Sequence, residues 1–333
     1  METLIMKPSD NSIELAAKLL RQGEVVAVPT ETVYGLAANA LSTDAVNKIY
    51  EAKGRPSDNP LIVHIAEASM MEKLCCDIPK LAYVLSEKFW PGSLTMVLNK
   101  RKLIPDITSG GLDTVGVRMP DNEHTLDIIK KAGIPLAAPS ANLSGMPSPT
   151  AAVHVFEDMK GKIPLIIDGG RCRVGVESTV ISFIENGVSI LRPGAVTAEM
   201  LSDFCDVKID DFVLNQANSG VKPISPGVKY KHYSPNAKVF LVEADDFNFK
   251  NYVLKHNGEK VCAIIKQENL DGINFYSYGD DDKQQAAKIF ALLRLADKDG
   301  MEKIYIHAPK KDGLALAVYN RLIRAAGFDI IKL

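Results

Sequence analysis

VVAVPTETVYGLAANALSTDAVNKIYEAKGRPSDNPLIVHI, residues 25–65, decides the fold of this chain. Two apolar β-like runs, Val25–Val28 and Leu61–Ile65, bracket a helix-like segment at Thr43–Ala52. Hydroxyls, a basic pair, prolines and an imidazole crowd the joints. A residue that only fills a core does not need that density of polar groups, and α/β folds bind ligands where strands end. The stretch therefore predicts both a β–α–β arrangement and a site.

Working outward, Ser9–Arg21 has N-cap candidates at its start, apolar residues at helical spacing and Gly23 just past its end, which predicts a helix. Further helices are expected at Pro79–Phe89, before Pro91-Gly92, and at Asn122–Lys131. Strands are expected at Leu94–Leu98, Val115–Arg118, Leu136–Ala138, Leu165–Ile167, Val180–Phe183 and Ser189–Leu191. The alternation implies a mixed α/β sheet whose strand order the pattern leaves open. Asn215–Gly220 is turn-like and runs into KPISPGVKYKHYSP, which has no periodicity. Beyond it, strands at Val239–Val242, Val261–Ile265, Ile304–His307 and Asp329–Lys332, with helices near Lys283–Ala296 and Gly313–Ala326, predict a smaller open α/β domain. The expected organisation is a domain over 1–206, a linker over 207–236 and a second domain over 237–333.

Composition narrows the function classes. With 46% apolar and 24% charged residues the chain reads as globular, and no apolar run approaches the length of about 18 that spans a bilayer. No export signal is visible at the start, and the five cysteines follow no CxxC spacing, so reduced thiols in a cytoplasmic protein with no membrane contact are expected. Residues 1–211 carry 27 Asp+Glu against 21 Lys+Arg, whereas residues 212–333 carry 14 against 18. Neither balance suits a protein that coats a phosphate backbone.

The polar joints each carry two readings. Thr30, Glu31, Thr32 and Tyr34 form either a hydrogen-bonded turn or the wall of a pocket for a hydroxylated or amino-bearing ligand. Lys53-Gly54-Arg55-Pro56 suits a helix end, where glycine terminates and basic residues complement the dipole. Two prolines in the following SDNP loop also present Lys53 and Arg55 rigidly to a phosphate or carboxylate. His64 is either a core histidine or a ligand contact. Gly116–Pro120 puts Arg118 at a strand end, Ala138–Gly145 is a glycine-containing hydroxyl and amide loop that lets backbone N–H groups approach an anion, and Arg192 ends another strand. No P-loop, HExxH, GxSxG or kinase motif is present, and nothing assigns Ser93 and His64 partners as a hydrolase dyad.

Taken in order, PTETVYGL, KGRPSDNPLIVHI, FWPGSLTMVL, GVRMP, APSANLSG, DGG, ESTV and LRPG resemble the motif series of the threonylcarbamoyl-AMP synthase family, with its YrdC-like fold. The likeness covers roughly residues 10–205. SPGVKYKHYSP followed by an α/β domain resembles the long, two-domain branch. The resemblance implies a YrdC-like twisted mixed sheet with helices plus a smaller C-terminal Rossmann-like open α/β domain. It implies formation of threonylcarbamoyl-AMP and pyrophosphate from L-threonine, bicarbonate or CO2, and ATP, with Mg2+ bound to ATP and no metal ligated directly by protein. The product would pass to downstream threonylcarbamoyl-transferase proteins acting on adenosine 37 of tRNAs reading codons that begin with A, so tRNA would be met at most transiently. Carried onto this sequence, Thr32, His64, Arg118, Ala138 and Ser178 would contact threonine, with Tyr34 nearby. Arg55, Asn59, Thr114, Ser140, Ser148, Arg192 and Tyr230 would contact ATP, Lys53 and Arg55 would offset charge in the transfer, and Tyr230 with Tyr233 would form a lid. The alternative from another class is an RNA-binding module of the same fold without adenylate-forming activity. The acidic first domain and the lack of basic residues interleaved with stacking aromatics weigh against it. A carbamoyl-transfer relative would bring acylphosphatase-like and zinc-finger segments, and none is present.

Overall fold

The computed structural model describes residues 1–215, 233–266 and 272–333. In chain order these form β1 (Leu4–Met6), α1 (Asp10–Arg21), β2 (Val26–Val28), β3 (Gly35–Asn39), α2 (Thr43–Lys53), β4 (Ile62–His64), α3 (Ser69–Leu74), α4 (Lys80–Phe89), β5 (Leu94–Asn99), α5 (Asp106–Ser109), β6 (Thr114–Arg118), α6 (Glu123–Ala132), β7 (Leu136–Ala137), α7 (Ala152–Met159), β8 (Leu165–Ile167), β9 (Thr179–Ile184), β10 (Gly187–Arg192), α8 (Ala198–Ser202) and β11 (Asp206–Ile209). The second part adds β12 (Lys238–Glu243), α9 (Asp246–Lys255), β13 (Val261–Ile265), β14 (Asn274–Ser277), α10 (Asp282–Lys298), β15 (Lys303–His307), α11 (Gly313–Ala325) and β16 (Ile330–Lys332).

Local chemistry accounts for the helix limits. Ser9 caps α1 and exchanges hydrogen bonds with Ser12 in a capping box, while Lys18 and Arg21 sit in the last turn. Ser42 caps α2, which ends at Gly54 with φ 60°, a left-handed conformation that glycine adopts without a Cβ clash. Asn122 caps α6.

Among the described residues, residues 1–144 and 148–215 form one compact unit, and residues 145–147 and 233–333 form a second. The first unit is built on a mixed eleven-stranded sheet in the order β1-β8-β2-β3-β7-β4-β6-β5-β9-β10-β11. The second has a five-stranded sheet in the order β14-β13-β15-β12-β16, and its paired strands are all parallel. Phe249 and Val253 of α9 pack with Val242, Ala263 and Tyr305 on one face of that sheet, and Leu241, Ile264 and Ile306 on the alternate face are also buried. This is the open α/β arrangement expected for the smaller domain.

The sequence expectation did not include β1, α3, α7, α9 or β14, and two further features depart from it. The expected linker begins at residue 207, but β11 pairs in parallel with β10 along Gly187–Ile190, so residues 206–209 belong to the first sheet. The segment between the two apolar runs of residues 25–65 also contains a whole strand, β3. Its sequence, GLAAN, has no β-branched residue, and the small side chains have another cause: a Cβ at Gly35 would lie 3.3 Å from the Ala138 Cβ. Close backbone approach in the middle of the sheet, not β propensity, selects those residues.

The turn after β10 is equally tight. A Cβ on Gly194 would lie 2.3 Å from the Thr179 nitrogen and 2.7 Å from the Glu177 carbonyl oxygen. Gly194→Ala should therefore destabilise the first unit by about 1–3 kcal/mol, the usual cost of overpacking. Trp90, the single tryptophan, lies in that unit and reports its unfolding in urea. A wild-type midpoint in the variant would refute the close approach of this turn to residues 177–179.

Candidate active site

Strand alternation sorts the first sheet into two faces. Val63, Val115, Val117, Leu94, Met96, Leu98, Ile181, Val188 and Ile190 point into the large core with α2, α3 and α4. The intervening residues of the same strands face the other way, where Ile62, Val97, Val180 and Leu191 form a small apolar cluster. Thr114, Gly116 and Arg118 of β6, His64 of β4 and Thr95 of β5 alternate onto that second face. Gly116 keeps the floor low: a Cβ there would meet the Thr95 methyl at 3.1 Å and Ile62 at 3.4 Å. The residues expected at strand ends thus also share a sheet face.

The centre of the polar cluster is an ion pair. Arg118 Nη2 donates to Glu31 Oε1 at 2.6 Å, and the two side chains are only 5% and 3% exposed. Arg118 Nη1 donates to Thr32 Oγ1 at 2.9 Å and Nε donates to the Gly92 carbonyl at 3.0 Å. Glu31 also accepts from Ser93 Oγ at 2.9 Å and from the Asp121 N–H at 3.2 Å. Thr30 holds the turn, accepting from the N–H groups of Thr32 and Val33 and donating to the Val33 carbonyl. The hydrogen-bonded turn is thus realised, and its Thr32 hydroxyl and Glu31 carboxylate are both engaged by Arg118. Burial pushes the Glu31 carboxyl up, but the Arg118 charge and the donated hydrogen bonds outweigh it and hold Glu31 below the usual carboxylate range.

His64 and Arg118 are register partners on adjacent parallel strands. His64 is buried, and its Nδ1 has no hydrogen-bond partner. Burial, and then the Arg118 charge, push the imidazole down to about 3, so it is neutral at pH 7. Asn59 Oδ1 is likewise buried without a partner. Buried polar atoms are normally paired, so such exceptions call for an explanation.

Asn59 belongs to the opposite end of the same strands. Ile62 pairs with Gly116, so residues 59–60 lead into β4 at the Thr114 end, four residues or about 13 Å from Arg118. Arg55 Nη2 donates to the carbonyls of Asn59 and Pro60 at 3.3 and 3.2 Å. Lys53 is buried and its ammonium donates to the carbonyls of Ser140 and Asn142, the second at 2.8 Å. It holds the 140–142 loop in place, a role that neither sequence reading of Lys53 included.

A third group joins the two. Ser178 Oγ shares a 2.8 Å hydrogen bond with Thr95 Oγ1, and Arg192 donates from Nη2 to Ser178 Oγ and from Nε to the Ser178 carbonyl, each at 3.1 Å. Ser148 Oγ donates to Glu177 Oε1. The Thr179 N–H bonds the Ser93 carbonyl at 2.9 Å, linking this group to Ser93 and so to Glu31. The Ala138 N–H bonds the Ile62 carbonyl at 3.0 Å. Tyr34 is fully buried and its hydroxyl anchors the Gly170 carbonyl at 2.7 Å, a brace for the DGG turn. Tyr230 lies outside the described residues. Tyr233 is buried in the second unit, stacked on Phe290 with centroids 5.3 Å apart.

With this geometry in view, residues 18–194 match the Sua5/YciO/YrdC family, described as "Telomere recombination", and residues 196–327 match the threonylcarbamoyl-AMP synthase C-terminal domain. The chain belongs to the Sua5/YciO/YrdC family. Its relatives include the threonylcarbamoyl-AMP synthase of Pyrococcus abyssi, 45% identical over 96% of this chain and 95% of that protein. The Bacillus subtilis threonylcarbamoyl-AMP synthase is 43% identical over 98% of this chain and 96% of its own length. A crystal structure of P. abyssi Sua5 complexed with L-threonine superposes with a TM-score of 0.93 at 43% identity, covering 100% of this chain and 99% of that one. The family expected from the motif series, and its two-domain form, are thus established. Among the described residues no helix is long and apolar enough to cross a membrane.

The sequence reading included Glu31 in a possible pocket wall and Glu177 in a polar strand entry without giving either a role of its own, and it did not single out Thr95. A signal that some acid must serve here was present, though not which one: an arginine ending an apolar strand, once buried, requires a counter-charge. One consequence of the site's electrostatics is measurable. A histidine with a folded pKa near 3 and a reference value of 6.5 loses stability as pH falls through that interval, because only the unfolded chain takes up the proton. In urea titrations, wild type minus His64→Gln should therefore lose up to about 1.4 kcal/mol per pH unit below 6.5. A difference that is constant between pH 7 and pH 5 would remove the buried neutral imidazole.

Proposed function

We propose that the chain is an L-threonylcarbamoyladenylate synthase, forming threonylcarbamoyl-AMP and pyrophosphate from L-threonine, bicarbonate or CO2, and ATP. The observation that carries this reading is the convergence on one sheet face of a fixed guanidinium, Arg118, and a neutral imidazole with a partnerless Nδ1, His64. Arg118 uses one N–H on each terminal nitrogen for Thr32 and Glu31, and each such nitrogen has a second. That remaining pair suits the carboxylate of an amino acid, which arginine takes bidentately. His64, held neutral, adds no positive charge beside the incoming amine. Thr32 and Ser178 supply hydroxyls, and Ala138 a small side chain, to the rest of the threonine subsite.

At the other end of β4 and β6, the Asn59 amide, Thr114, the Arg55 charge and Ser140 form the nucleotide side, while Ser148, bonded to Glu177, and Arg192, the last residue of β10 and bonded to Ser178, would contribute from the Arg118 end. Magnesium belongs to the metal–ATP substrate: amide, hydroxyl and arginine groups fit phosphate oxygens and the ATP edge, not a cation. Among the described residues no group of three or more His, Cys, Asp or Glu could hold an ion. In the reaction the threonine amine forms an N–C bond to the carbon of CO2 and releases a proton; from bicarbonate the same bond forms as a C–O bond breaks and the amine proton leaves with the hydroxide as water. A carbamate oxygen then bonds the α-phosphorus as the bond to pyrophosphate breaks. No protein nucleophile takes part. Holding the three reactants together supplies up to about 7–11 kcal/mol in favourable cases, and Arg55 and Arg192 offset charge developing on the phosphates. Lys53 acts through the loop carbonyls it fixes. The product would pass to threonylcarbamoyl-transferase proteins that modify tRNA.

Purified protein with magnesium, bicarbonate and ATP should release pyrophosphate in a threonine-dependent manner. No release above a control lacking threonine would end this reading. Arg118→Lys keeps a counter-charge for Glu31 but loses the fork, and should raise the threonine KM by about tenfold or more with little change for ATP. Equal increases for both substrates would remove Arg118 from the threonine subsite.

A further inference from the structure

Resting on the proposed reading of the site, we infer that Glu31 is the positioning residue that presets Arg118 for an amino-acid carboxylate. No substrate contact is assigned to Glu31 itself. It lies on the β2–β3 turn, whereas Arg118 ends β6, and the two meet only because the folded sheet brings the turn there. Three acceptors from two segments fix the guanidinium: the Gly92 carbonyl on Nε, and from the β2–β3 turn Thr32 Oγ1 on Nη1 and Glu31 Oε1 on Nη2. Occupying one N–H on each terminal nitrogen does more than hold the group. It fixes the plane of the fork and the direction of the two N–H groups that remain, so a ligand meets a rotamer already ordered.

Glu31 is itself braced, which a mere counter-ion would not need to be. Ser93 Oγ donates to the same Oε1 that Arg118 uses, and the Asp121 N–H donates to Oε2. Both carboxylate oxygens are thus held, and the Ser93 carbonyl in turn accepts the Thr179 N–H next to Ser178. The bracing runs from Glu31 to both halves of the threonine subsite. The pair also sets the charge balance. Glu31 cancels the Arg118 charge in the empty subsite, so recognition depends on fork geometry more than on net attraction. The site should therefore select a planar carboxylate next to a hydroxyl-bearing side chain and reject anions that cannot use the fork.

The test separates reach from charge. Glu31→Ala removes the acceptor, Glu31→Gln keeps an oxygen for Arg118 but turns an amide donor toward the Asp121 N–H, and Glu31→Asp keeps the charge but withdraws it by one methylene. Steady-state kinetics and calorimetric titration with L-threonine would be run on the full chain, with folding checked by circular dichroism. The expected result is a threonine KM raised by about tenfold in Ala and about fivefold in Asp, within about threefold of wild type in Gln, with the ATP KM within about twofold throughout. If Ala does not fold, the order of Asp and Gln still decides. Gln as damaging as Asp or Ala, or equal increases for threonine and ATP, would overturn the positioning role. A wild-type protein that neither binds threonine nor releases pyrophosphate would instead overturn the function on which it rests.

Discussion

Arg118 and Glu31 meet at 2.6 Å in a place almost closed to solvent, and much of the catalytic unit is arranged so that they can. Removing two charges from water costs several kcal/mol per ion, and the attraction offsets this only when the remaining hydrogen-bonding capacity is used. Here it is used: the arginine donates to a carbonyl and a hydroxyl besides, and the carboxylate accepts from a serine and a backbone amide. Such pairs are poor sources of net stability. Their effect is geometric, because any register in which Glu31 missed Arg118 would leave a buried charge without a partner. The pair therefore pins the β2–β3 turn, the 92–93 turn and the end of β6 to one arrangement.

That arrangement would let one short strand pair serve two ends of the proposed reaction. β4 and β6 run parallel, so the residues that begin them and the residues that end them lie about 13 Å apart on one face. Arg118 and His64 close the strands, while Asn59 and Thr114 lie where they begin. An amino acid at one end and a nucleotide at the other would then place the reacting groups over the middle, where Gly116 keeps the floor low against Thr95 and Ile62. The small apolar cluster of Ile62, Val97, Val180 and Leu191 beneath lowers the local dielectric. In such surroundings fixed arginines act more strongly on developing phosphate charge than they would in water.

Much of the fold was legible because its signals are local. Ser9 and Asn122 cap the helices they were expected to begin, and the runs at residues 94–98, 165–167 and 261–265 are strands. What escaped was non-local. β3 reads as a small-residue segment, and its Gly35 answers to Ala138, a residue about a hundred positions away. β11 continues a sheet past the point where composition suggests a linker. The site divides in the same way. Arginines at strand ends and a histidine among apolar residues can be seen in the sequence, and the motif series says which ligand each resembles. That Glu31 is the partner of Arg118 cannot be read from one chain, since it depends on a turn and a strand end 87 residues apart.

Lys53 and Arg55 show why a bland reading and a functional one need not compete. Helix α2 ends at Gly54 in the left-handed conformation, as its glycine foretold, and Lys53 occupies the last turn where a cation complements the dipole. Yet the same termination aims the buried ammonium at the carbonyls of Ser140 and Asn142 and turns Arg55 toward those of Asn59 and Pro60. A carbonyl that accepts from a cation has its dipole fixed, and the peptide it belongs to can no longer rotate. The loop from 140 to 142 and the loop from 55 to 60 are thus each tied to the end of α2 by a cation where the helix stops. Were α2 to run one turn further, the ammonium would still be available as a charge, but neither loop would be held. Helix termination is in this chain the step by which a local backbone preference becomes the geometry of the two loops proposed to meet the nucleotide.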